Sequence, residues 1–146
     1  MTSPVRVVLD TNCVVSALLF SAGRLSRFRR LWQQGEIIPV VCKATILELY
    51  HVLAYPKFSL SRTDIDDLLV DYIPWTETYS KIITNTVIPE LRDEKDNFFI
   101  SLAIAANTDY LISGDRHLLE LKEIIPSARI VSPSAFFEIY AGQLPG

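Results

Sequence analysis

Four acids in this chain, Asp10, Glu48, Asp96 and Asp115, occupy positions from which a carboxylate could do chemistry. Asp10 is the most conspicuous, because VRVVLDTNCVV, beginning at Val5, sets Asp10, Thr11 and Asn12 inside a run of strand-forming residues. Burying a carboxylate without a partner costs about 2–7 kcal/mol or more, so Asp10 needs either an exit to solvent or a partner. Asp115 closes DYLISGD, where Ser113 and Gly114 lead out of an apolar strand into a turn. Asp96 belongs to RDEKDNFFISLAIAAN, in which Asp93 can cap a helix and Asp96 can take its first turn. The helix dipole favours a carboxylate there by about 0.3–1 kcal/mol, and the same position points into a crevice if the helix enters from the ends of the strands. Glu48, in KATILELYHVLAY, has two readings. The stripe Ile46, Leu49, Tyr50 and Leu53 leaves it on the opposite, solvated side, whereas Val52 and Tyr55 share its side and make the helix apolar nearly all round.

Were these acids to converge, two carboxylates about 5 Å apart would repel by roughly 3 kcal/mol at an effective dielectric of about 20. Such a cluster requires protons or cations. Hard divalent ions, Mg²⁺ or Mn²⁺, suit carboxylate and water oxygens, and no histidine-rich or thiolate set competes for a softer metal. Phosphoryl chemistry fits a site of that kind: the ion lowers the pKa of a bound water and steadies the charge on the leaving oxygen.

The elements that must position these acids alternate along the chain. Strands are expected at Val5–Leu9, Ile37–Val41, Tyr79–Thr84, Tyr110–Ser113 and Arg129–Val131. Helices are expected at Asn12–Phe20, Leu25–Gln34, Lys43–Tyr55 (ended by Pro56), from a Ser61 cap through Tyr72, and at Asp93–Asn107, His117–Leu121 and Pro133–Tyr140. This alternation predicts a mainly parallel sheet covered on both faces. In such a sheet ligands bind beyond the carboxyl ends of the strands, near the point where strand order reverses. Asp10 and Asp115 each leave a strand at such an end, so they meet if their strands are neighbours.

At 146 residues the chain is most economically a single domain, 1–146, with no repeat, linker or low-complexity segment. Its 49% apolar content is high, yet its longest apolar runs fall well short of the roughly 18 residues of a membrane span. A signal peptide over the first twenty residues would put Asp10 in the apolar region, at a penalty of about 2.5–3.5 kcal/mol. A cytoplasmic protein with a true N-terminal strand is therefore expected, with no membrane partner. Cys13 and Cys42 sit among aliphatic residues, without a CxxC or a histidine at ligand spacing, and read as core thiols. The net charge of −3 argues against a surface built throughout for nucleic acid, but not against a local basic groove. The basic cluster GRLSRFRRLW carries Arg24, Arg27, Arg29 and Arg30 and reads as a solvated helix face or a phosphate contact.

These stretches together resemble the PIN-domain ribonucleases, in particular the single-domain bacterial and archaeal toxins of toxin–antitoxin pairs. VVLDTNCVVSALL is similar to the first motif of that family, with Asp10 as metal-binding acid and Thr11 and Asn12 as its hydroxyl and amide neighbours, holding the acid and its turn. ILELYHVLAYPKF resembles the second and carries Glu48, and DEKDNFFISLAIAANTDYLISGDRHLL resembles the third and fourth, giving Asp96 and Asp115. The resemblance implies a three-layer α/β/α fold with about five strands and an acidic Mg²⁺ or Mn²⁺ pocket. It implies hydrolysis of single-stranded or loop RNA to a 5′-phosphate and a 3′-hydroxyl, a cognate antitoxin and a homodimer. Asp93 is a supporting acid in this reading, Ser113 a small hydroxyl beside the last acid, and Arg24, Arg27 and Arg116 candidate substrate contacts.

Two other readings compete. A catalytically inert PIN-like domain that binds RNA or protein would share the fold without the metal. A phosphotransfer protein is disfavoured, because an aspartate-nucleophile phosphatase needs a second aspartate where Asn12 stands, and a receiver domain needs paired acids before its first helix.

Overall fold

Val5–Leu9 (β1) is the middle strand of a five-stranded, all-parallel sheet, and the order of that sheet decides where the acids fall. The computed structural model describes residues 3–81 and 94–143, with side chains over 3–81 and 98–140. The remaining elements follow as helices Thr11–Leu19 (α1) and Ser26–Gln33 (α2), strand Ile37–Val41 (β2), helices Lys43–Leu53 (α3) and Arg62–Val70 (α4), and strand Glu77–Thr78 (β3). Then come helix Glu94–Ala105 (α5), strand Tyr110–Ile112 (β4), the short helix Arg116–Leu119 (α6), strand Ile130–Val131 (β5) and helix Pro133–Gln143 (α7). Short 3₁₀ turns at Pro56–Phe58, Ile73–Trp75 and Pro126–Ala128 join them.

The strand order is β3-β2-β1-β4-β5. The chain builds β2 and β3 to one side of β1 and then crosses to build β4 and β5 on the other, so the order reverses at β1. The period of two along the strands makes the sheet two-sided. Val7, Leu9, Ile37, Val41 and Ile112 face one core, with Phe28 and Trp32 of α2, Leu49 and Leu53 of α3, and Phe136 of α7. Val8, Val40, Leu111 and Ile130 face the other, with Ile100, Leu102 and Ala103 of α5 and Leu118 of α6. Helices cover both faces, as the alternation of elements predicts. Each fully buried large side chain contributes about 1.5–3 kcal/mol of transfer free energy, and aromatic contacts such as Phe28 with Phe137, 4.7 Å between ring centroids, bind α2 to α7.

Several boundaries differ from the expected ones, each for a local reason. β3 occupies Glu77–Thr78 rather than Tyr79–Thr84. The Tyr79 N–H donates to the Val41 carbonyl (2.8 Å) as the last rung, and β2 ends at that residue. Residues 82–84 of the expected strand lie outside the described residues. Pairing of β2 with β3 begins only at Val40, which leaves Pro39, lacking an N–H, with no β3 residue opposite it. Helix α3 stops at Leu53, because Pro56 forces Tyr55 to extended backbone (φ −61, ψ 137). Arg129 is left-handed (φ 51), so β5 starts one residue later than expected.

Candidate functional site

The sequence DTNCVV begins a helix at once when β1 ends, with Asp10 in extended backbone (φ −67, ψ 163) as its N-cap. Oδ1 of Asp10 accepts the Cys13 N–H at 2.9 Å, satisfying one of the four free donors at the start of α1. Oδ2 accepts the Ser113 hydroxyl. The Asp10 N–H continues the β1–β4 ladder by donating to the Ile112 carbonyl (3.1 Å). Asp10 is thus 6% exposed and anchored on both sides.

Asp115 repeats the device one strand over. It caps α6, its Oδ1 accepting the His117 N–H (2.8 Å), and its own N–H donates to the Ser113 hydroxyl oxygen (2.9 Å). Ser113 is fully buried between them. One hydroxyl therefore donates to the first acid and accepts from the backbone of the last, which ties the carboxyl ends of β1 and β4 together at the point where strand order reverses. β1 and β4 are neighbours, which is the condition under which Asp10 and Asp115 can meet.

The other two acids sit on elements that start at this same edge. α3 begins just after β2, and Glu48 lies on its second turn, about 8 Å along the axis at 1.5 Å per residue, half-buried. Four residues separate the end of α5 from the start of β4, so its first turn, with Asp96, stands at the carboxyl edge. The side chain of Asp96 and the whole of Asp93 lie outside the described residues. Among the described residues, no group of three histidines, cysteines or acids is close enough to hold a metal.

Other features of the site depart from expectation. Thr11 and Asn12 do not hold Asp10: Asn12 is exposed, and the buried Thr11 Oγ1 has no hydrogen-bond partner among the described residues. The Cys13 N–H and Ser113 take that part. The capping signal, an aspartate directly before an apolar run, is present in the sequence, but a helix started at Asn12 passes over it. The Cys13 thiol is pushed far up by burial and then by the neighbouring Asp10 carboxylate, so it is a core thiol and not a nucleophile. Arg24 and Arg27 are exposed; Arg24 Nη1 donates to Ser134 Oγ (2.6 Å), and the Arg27 guanidinium stands 4.3 Å from the ring centre of Phe137. Arg116, also exposed, opens α6.

The donor set fits a hard divalent cation. Asp10 and Asp115 offer only oxygens, and the ion pairs among the described residues, Arg6–Glu77 and Arg29–Asp71, leave no protein cation against either acid. For the buried Asp10, hydrogen bonds alone offset part of the cost of removing a carboxylate from water. No helix among the described residues is long and apolar enough to cross a membrane.

Comparison with known proteins agrees with this fold. No curated protein sequence matches the chain. The fold is similar to that of VapBC2 from Rickettsia felis, solved bound to a DNA fragment from their promoter, with a TM-score of 0.63 at 16% identity over 87% of this chain and 98% of that one. It is equally similar to PAE2754 from Pyrobaculum aerophilum, with a TM-score of 0.63 at 13% identity over 95% of this chain and 97% of that one. The sequence model of the PIN domain matches residues 6–117, a stretch that runs from β1 past the Asp115 cap. With that match over most of its length, and with the order of strands and acids described above, the chain belongs to the PIN-domain family.

Proposed function

We propose that this chain is a Mg²⁺- or Mn²⁺-dependent endoribonuclease that hydrolyses phosphodiester bonds in single-stranded or loop RNA. The observation that carries the reading is the pair Asp10 and Asp115, held at the switch point of the sheet by one shared hydroxyl, with Asp10 buried and facing no protein cation among the described residues. Asp10, Glu48, Asp96 and Asp115 would hold the metal. When bound, a divalent ion supplies an activated water and stabilises charge on the leaving oxygen. The chain's own contribution is position: the Cys13 N–H and the Ser113 hydroxyl leave Asp10 with a single orientation, and the His117 N–H does the same for Asp115. Asp93 is a supporting acid in this reading, and Arg24, Arg27 and Arg116 are contacts to substrate phosphates.

The resemblance of its four motifs to toxins of toxin–antitoxin pairs, together with the likeness to VapBC2, supports a toxin with a cognate antitoxin; the family resemblance and the apolar composition support a homodimer acting in the cytoplasm. Cleavage of an end-labelled RNA pool tests the activity. Wild-type protein is expected to cut in Mn²⁺ and not in EDTA, leaving 5′-phosphates, and Asp10→Asn to be inactive with its circular dichroism unchanged. Equal cleavage by both proteins refutes the assignment.

A second reading is an inert domain that binds RNA or protein, sharing the fold without the metal. Calorimetric titration separates the two, because the inert domain gives no Mn²⁺ or Mg²⁺ binding heat.

A further inference from the structure

From Thr11 to Gly35 the chain contains no acid but four arginines, a local excess that its net charge of −3 conceals. The structure gathers this segment around a concave groove of about 540 Å³, lined by Gly23 and Arg24 of the loop before α2 and by Ser26, Arg29, Arg30 and Gln33 of that helix. Positions 26, 29, 30 and 33 are one face of an α-helix. The opposite face, Phe28 and Trp32, is buried in the core, so the groove rests on a rigid wall.

Three of the four guanidinium groups are already placed. Arg24 is held by Ser134, Arg27 lies over Phe137, and Arg29 pairs with Asp71. Arg30 is exposed and has no hydrogen bond or ion pair with the described residues. Arg24 and Arg27 are drawn toward the first turns of α7, just past the carboxyl end of β5, the neighbour of β4. Ala17 of α1 also borders the groove. Seven residues at 1.5 Å each put it about 10 Å along the helix from Asp10, within reach of a strand whose scissile phosphate sits at the acids.

A basic groove alone would suit any polyanion. Phe20 narrows the choice: it does not line the groove, but it is 55% exposed and its Cβ lies 4.0 Å from where a Cβ on the lining residue Gly23 would stand. Arginines beside an exposed ring form the arrangement on which successive bases stack while the backbone tracks the charge. A run of acidic side chains offers charge to the arginines but no aromatic face to stack on that ring.

We infer that the groove of Arg24 and Arg30, with Phe20 beside it, docks a single-stranded stretch of RNA flanking the cleaved bond, an inference that rests on the ribonuclease reading and names where its substrate lies. The arginines take phosphates and Phe20 takes a base.

Binding of a fluorescent twelve-nucleotide single-stranded RNA, followed by anisotropy in EDTA so that no metal supports cleavage, tests this. Arg24→Ala combined with Arg30→Ala is expected to weaken binding at least tenfold at low salt. It should also flatten log Kd against log salt by about 1.4, because each single-strand phosphate that an arginine neutralises contributes roughly 0.7 to the slope. Phe20→Ala is expected to weaken binding fivefold or more with the slope unchanged. An abasic oligonucleotide of equal charge should bind wild type as weakly as the intact RNA binds Phe20→Ala. Because all three positions are exposed, the variants should melt with wild type, and a melting scan checks it.

No binding by wild type, or Kd values unmoved by these substitutions, overturns the inference. So does displacement of the RNA by a polyglutamate of equal length as effectively as by unlabelled RNA, which would assign the groove to an acidic protein segment. Cleavage measured separately in Mn²⁺ keeps the two proposals apart. Binding that depends on the groove without cleavage refutes the nuclease reading, and cleavage with binding indifferent to the groove refutes only the docking site.

Discussion

Ser113→Ala probes the join between the two strands that carry Asp10 and Asp115. The substitution removes one oxygen from a fully buried position and leaves two former partners of unequal cost. Asp10 Oδ2, in a residue 6% exposed, loses a hydrogen bond to a charged acceptor, worth about 1.5–3 kcal/mol. The Asp115 N–H belongs to a half-exposed residue and can turn to water, so its loss adds about 0.5–1 kcal/mol. The sum, about 2–4 kcal/mol, corresponds to a fall in melting temperature of roughly 4–16 °C for a chain of this size. Urea unfolding of wild type, Ser113→Ala, Asp10→Asn and the double variant closes a thermodynamic cycle. A coupling energy of about 1–3 kcal/mol between residues 103 apart in sequence is expected. Additive effects, or a Ser113→Ala cost below about 0.5 kcal/mol, would refute the claim that this hydroxyl holds the site together.

Metal should stabilise the fold: at a hundredfold excess over its dissociation constant Mn²⁺ adds about 2.7 kcal/mol, and a thermal shift assay should show this gain in wild type and its loss in Asp10→Asn. Burial pushes both the Cys13 thiol and the Tyr72 phenol above their usual values of 9.0 and 10.0. The unfolded chain therefore releases protons that the folded chain retains, and stability falls as pH rises past about 9 for the thiol and past about 10 for the phenol. Tyr72→Phe should flatten the upper part of this decline in urea midpoints taken between pH 8 and roughly pH 11. At the other end, the Arg6 guanidinium hydrogen-bonds Glu77 (2.5 and 3.0 Å) and lowers its carboxyl pKa. That contribution is present above the ordinary glutamate value and is lost as pH falls through the lowered one. Because both side chains are about a third exposed or more, it amounts to under about 1 kcal/mol. Glu77→Gln should remove this acid sensitivity, and a profile identical to wild type would count against it.

Much of the architecture is legible in local pattern. β-branched runs at Val5–Leu9 and Ile37–Val41 coincide with β1 and β2, and Ser61 caps α4, because short-range sterics and capping act within a few residues. Breaks are less legible where the cause lies elsewhere in the chain. β3 ends where β2 has no further residues to offer, a fact absent from its own sequence.

The same divide runs through the site. Residue type and spacing are enough to mark Asp10 as a carboxylate at a strand end, Asp115 as another, and Asp96 as a first-turn acid, since each depends on neighbours within one turn. Which strands lie side by side is another matter. Local periodicity is the same for any strand order, so the pairing of β1 with β4, and with it the Ser113 hydroxyl between Asp10 and the Asp115 backbone, comes from packing two cores against one sheet. The seating of Arg24 on Ser134 and of Arg27 on Phe137, 110 residues apart in each case, has the same origin: α2 and α7 meet only because their aromatic faces share a core.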